Sequence, residues 1–177
     1  LADKIDMLDV NLINSWSYII AIDTVVFFAF VLAALYVFFK RSDSRSLKIA
    51  SLVYAFSYGT GFFMGDVIDE GGKYLAWNAY YLNWVIFDAF TIFTIFAIHT
   101  LTKTLHHKAV KFAFLMTTIN MCSYLIMHYL AFEMRYPSHW FYVVYSSLVN
   151  VTAILIASGF AFKFRLNWAY RCTSNYP

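Results

Sequence analysis

Residues 74–101 read YLAWNAYYLNWVIFDAFTIFTIFAIHTL, a stretch with no Lys, Arg or Glu and a single acid, Asp88. Coiled as an α-helix at about 1.5 Å per residue it extends about 42 Å, more than the roughly 30 Å hydrocarbon core of a bilayer. A soluble helix of this length shows a polar face. This one has isolated polar residues on otherwise apolar sides, so its reading is a helix that crosses a membrane. Four more stretches share the character, at Trp16–Phe39, Ile49–Val67, Phe112–Phe132 and Trp140–Phe162.

The bulk composition agrees. Hydrophobic residues make up 62% of the 177 and charged residues 13%, against about half and a quarter in soluble domains. Mean hydropathy is +0.62. A soluble core of this size has no interior for so much apolar surface. The connections are short and polar, and two prolines and six glycines leave no low-complexity linker. The expected fold is therefore all-α, a single polytopic membrane domain over residues 1–177 with about five transmembrane helices.

Charge sets the expected orientation. Of thirteen Lys and Arg residues, ten fall in alternate connections: Lys40, Arg41, Arg45 and Lys48; Lys103, Lys108 and Lys111; Lys163, Arg165 and Arg171. Only Lys4, Lys73 and Arg135 lie on the other side, among Asp3, Asp6, Asp9, Asp69, Glu70 and Glu133. The positive-inside rule places the N-terminus outside and the C-terminus in the cytoplasm. An odd number of spans requires the same. Trp16, Trp77 and Trp140 gather at the outer boundary and Trp168 beyond the inner one, where amphipathic rings prefer to lie. The acidic start, Asp3 to Leu12, is expected as a short surface helix. The expected location is the inner (plasma) membrane of a bacterium. The net charge of +3 reads as a topology signal beside apolar runs, and no nucleic acid is expected as partner.

Polar residues inside the spans are the candidates for function, because each is costly in hydrocarbon. Tyr81, Asp88 and His99 fall within about 20° of one line on the third helix at 100° per residue, while Asn83 points about 140° from Asp88. A helix polar on two sides is expected at the centre of the bundle. Asn120 and Asn150, on the fourth and fifth spans, come out at the depth of Asp88, and a buried cluster of the three is expected. Asp23, Asp66 and His128 give the outer half an acidic, titratable character. Asp88 has two readings, a hydrogen-bonded carboxyl that sets helix register or an ion site.

Other residues point to packing. Gly61 and Gly65 form a GxxxG pair, and Ser146, Ala153 and Ala157 lie on a small-residue stripe with Asn150. Both patterns allow helices to approach closely, within one chain or between copies.

Catalytic signatures are missing. His99, His106 and His107 fall at the cytoplasmic end of the third span and read as surface residues of a loop, whereas His128 and His139 map to the opposite side. No metal centre and no cofactor is expected from ligands so dispersed. Cys122 and Cys172 are too unlike in setting to pair. Five spans do not divide into inverted repeats, and no helix holds a proline. The leading expectation is a non-enzymatic membrane subunit acting by assembly, as a homo-oligomer or beside other membrane subunits within the lipid bilayer. The alternatives are an oligomeric ion or proton conductor using the intramembrane carboxylates, and a lipid-acting enzyme using His99, His106 and His107.

Overall fold

The computed structural model describes residues 24–40, 44–71, 76–130 and 139–162. Five helices follow in order: α1 Thr24–Phe39, α2 Arg45–Gly71, α3 Ala76–Leu101, α4 Lys108–His128 and α5 His139–Phe162. Among the described residues there is no strand. Asp23 and the acidic start lie outside the described residues, as does the tail with Trp168. Stretches within α3, α4 and α5, Tyr81–Leu101, Lys108–His128 and Phe141–Phe162, are long and apolar enough to cross a membrane.

Helix ends follow caps rather than the limits of the apolar runs. α2 begins at Arg45, ahead of the expected Ile49, because Ser44 receives the first-turn donors: Leu47 N–H reaches its Oγ at 3.4 Å and Lys48 N–H its carbonyl at 3.3 Å. α4 begins at Lys108 instead of Phe112 because the His107 ring accepts the Ala109 N–H at 3.2 Å. α3 closes on a Schellman turn, with Thr104 N–H on the His99 carbonyl at 2.9 Å and Lys103 N–H on that of Thr100 at 3.2 Å. Lys103 takes the left-handed position of that turn, φ 49°, where glycine is usual.

The central helix is α4, packed on α3 and α5, while α2 lies mainly against α3 and touches α4 and α5 more lightly. This corrects the expectation that α3 occupies the centre: 17% of its membrane-length stretch is buried against 39% for α4. The reason lies in the hydroxyls and amide of α4. Thr117 pairs with α2 and Asn120 with α5, so α4 makes both bonds only between them. α3 instead turns Ile86, Phe90 and Phe93 outward on one stripe.

The larger core joins all five helices. Phe30 of α1 stacks on Tyr54 of α2 at 5.8 Å, and Tyr54 meets Phe160 of α5 at 5.4 Å. Ala50, Ala113, Ala153 and Ala157 fill the space between these rings and let the backbones approach. A smaller cluster holds Tyr81, Tyr124 and Met127 near the other end, with Trp84 of α3 stacked on Tyr124 of α4 at 6.5 Å.

Candidate functional site

A layer of hydroxyl, amide and carboxyl groups crosses the bundle between the two cores. The Tyr54 hydroxyl and Thr117 Oγ1 share a hydrogen bond at 2.6 Å, linking α2 to α4. Ser57 Oγ lies 2.6 Å from Thr91 Oγ1, linking α2 to α3. The Thr91 hydroxyl donates to the Phe87 carbonyl at 2.8 Å, so Ser57 supplies the hydrogen between the pair. Asn120, fully buried, meets the Thr152 hydroxyl of α5 through its Oδ1, and that hydroxyl also lies 2.9 and 2.8 Å from the Leu148 and Val149 carbonyls of its own helix.

Two groups of this layer have no partner. Asp88 Oδ2 and Asn120 Nδ2 are buried without a hydrogen bond. Trp84 and Tyr124 set the register of antiparallel α3 and α4. Asp88 lies one turn from Trp84 on α3, and Asn120 lies one turn from Tyr124 on α4. Asp88 also lies within electrostatic range of the Tyr54 hydroxyl. An acceptor on α3 and a donor on α4 are thus left over in the packed interior, where each orphan costs about 1–3 kcal/mol.

The expected cluster of Asp88, Asn120 and Asn150 does not form. Asn150 Nδ2 donates to the Ser146 carbonyl of its own helix at 2.8 Å. Two residues on, a rotation of about 200°, Thr152 faces α4 in its place. Among the other residues singled out, Gly61 is buried against α3, where an added Cβ would lie 3.1 and 3.3 Å from two atoms of the Trp84 ring. Ala153 and Ala157 are buried in the larger core, and Ser146 is half-buried. His128 ends α4, half-buried. Gly65 and Asp66 belong to α2, with their surroundings outside the described residues.

Of the three histidines at the opposite end, His106 and His107 lie half-buried in the α3–α4 connection, while His99 is not the loop surface expected of it. His99 is 1% exposed, since it continues the inward stripe of Thr91 and Ile95 at four-residue spacing. Its Nδ1 lies 2.7 Å from the Ile95 carbonyl and its Nε2 2.8 Å from Ser46 Oγ. A carbonyl only accepts, so Nδ1 carries the hydrogen, and in the neutral ring Nε2 takes the Ser46 hydroxyl proton. Ser46 Oγ in turn accepts the His107 N–H at 2.9 Å. Sequence reasoning passed over Ser46. Its only signal was a position two residues past a helix-capping serine.

Among the described residues no group of three His, Cys, Asp or Glu side chains is placed to hold a metal ion. Compared with family models, curated proteins and solved structures, the chain has no match.

Proposed function

We propose that this chain is a five-span membrane protein, N-terminus outside and C-terminus cytoplasmic, that works as a non-enzymatic subunit by assembly in a bacterial inner membrane. One observation carries the reading. The least buried membrane-length helix, α3, shares with α4 an outward-facing apolar groove of about 370 Å³ lined by Ala89, Ile92, Phe93, Phe96, Thr118 and Met121. Phe90 and Phe93, each 66% exposed, stand on that helix. Aromatic side chains beside such a recess offer the interlocking surface on which helices associate in lipid, where packing replaces the hydrophobic effect as the driving force. The test is extraction in mild detergent and mass determination of the intact assembly. A stoichiometric second protein or a defined homo-oligomer supports the reading, and a monomer in native lipid discs opposes it.

A second reading rests on Asp88 and Asn120. An ionisable carboxyl inside a membrane helix is by default a candidate for an ion or proton path, and Asp88 Oδ2 and Asn120 Nδ2 are both buried without a hydrogen bond. Flux into proteoliposomes, compared between the wild type and Asp88→Asn, tests it. No wild-type flux, or equal flux in the two, removes Asp88 from any such path. The lipid-enzyme reading gains no support from His99, whose two ring nitrogens are both engaged.

A further inference from the structure

Three elements meet at the basic end of the bundle through one hydrogen-bonded chain. The His107 N–H, at the start of α4, donates to Ser46 in the first turn of α2. Ser46 faces His99 in the last turn of α3. His106 covers this chain. Its ring lies on the His99 ring at 4.5 Å and 26°, stacks on Phe96 at 5.7 Å and meets the edge of Phe114 at 5.6 Å. His106 Nδ1 is buried with no hydrogen-bond partner. The turn leading to it carries the left-handed Lys103, a conformation costing a residue with a Cβ about 1–2 kcal/mol. The turn thus meets α2 through an amide bond, lies under a ring stack and carries local strain.

We propose that the α3–α4 turn is a proton-operated latch, in which neutral His106 lies over His99 and keeps the His107 N–H on Ser46, and in which protonation of His106 releases the turn from α2. The described surroundings fit that role, with Asp43 of the α1–α2 connection outside the described residues. α3 presents His99 and α4 presents Lys111, both basic. α2 presents Ser46, with exposed Arg45 and half-buried Lys48 beside it. Among the described residues no carboxylate stands at this end to compensate a charge on His106. Burial, then His99 and Lys111, hold its imidazole below the ordinary value of 6.5. The closed turn therefore binds fewer protons than the open one. Its stability is complete above about pH 6.5 and is lost as pH falls below that value. Release frees the segment bearing Lys103 and Lys108, so acidification of the cytoplasm alters the basic face shown to lipid headgroups or to a neighbouring subunit. The latch stands independently of whether the chain assembles or conducts.

Hydrogen exchange on the full chain in lipid discs tests it, read as the protection of the His107 amide after division by its intrinsic rate at each pH. Protection is expected to hold between pH 8 and 7 and then to fall by up to about tenfold per pH unit below 6.5, the limit for one proton. His106→Phe keeps the stack without the titration, and its protection is expected to stay constant to pH 5. A flat wild-type profile, or a His106→Phe profile that falls like the wild type, overturns the latch. Should His106→Phe fail to fold, the wild type alone decides by side-chain NMR. The His106 titration midpoint must coincide with the loss of His107 protection, and separate midpoints overturn the proposal.

Discussion

Ser46 Oγ and His99 Nε2, 53 positions apart in the sequence, lie 2.8 Å from one another and are both buried. The contact joins the first turn of α2 to the last turn of α3, and the His107 N–H completes it from the third side. A serine hydroxyl suits this place because it donates to one partner and accepts from the other at the same atom.

Ser46→Ala leaves the His99 Nε2 acceptor buried without its hydroxyl and takes from the His107 N–H the oxygen it meets here. A loss of about 1–3 kcal/mol is expected, measured by denaturant unfolding in micelles. Ser46→Thr, which keeps the hydroxyl, is expected to recover part of it. Equal stability of Ser46→Ala and the wild type would show that water enters this end freely.

Tyr54 and Thr117 form the bond that draws α4 toward α2. Tyr54→Phe removes one hydroxyl and Thr117→Val the other. The double-mutant cycle is expected to give a coupling of about 0.6 kcal/mol, the average for side-chain bonds between membrane helices, and at most about 1.7 kcal/mol. A coupling of zero would mean that the bond forms as readily in the unfolded chain.

Gly61 and Phe90 separate fold from assembly. Gly61→Val drives a side chain against the Trp84 ring, already 3.1 Å from an added Cβ, and is expected to cost about 1–3 kcal/mol. Any loss of assembly it causes follows from loss of the fold. Phe90→Ala, at a 66% exposed position, is expected to leave unfolding unchanged while shifting the mass of the complex toward the monomer. An unshifted mass would take Phe90 out of the interface.

Lys103→Gly relieves the left-handed turn after α3. The gain expected is up to about 1 kcal/mol, since glycine loses more backbone freedom on folding and cancels part of the benefit. Thermal unfolding reads it. A destabilised variant would show that the lysine side chain makes a contact that outweighs the strain.

The helices and their approximate limits were legible in the sequence, but the partners inside the bundle were not. His99 shows why. Its place at the end of an apolar run beside Lys103 and two further histidines reads as surface, yet its four-residue spacing from Ile95 and Thr91 carries it inward. Asn150 shows the converse. Its depth was right for meeting Asn120, but rotation about the α5 axis turned it onto Ser146 and brought Thr152 forward. Depth follows from counting residues. Rotation does not, when apolar residues occupy every face.

The sequence by itself determined that this chain is a set of helices in a given order, three of them long and apolar, because a helix satisfies its backbone hydrogen bonds locally and an apolar run marks where it lies, while the caps set its ends. Only the tertiary structure decided that α4 takes the centre, that Ser46 reaches His99, and that Asp88 and Asn120 are left with orphaned atoms. Those outcomes depend on how each helix is turned about its axis. With apolar residues all round, that angle is set by a few hydroxyls, amides and small residues that find their partners only when the helices pack together.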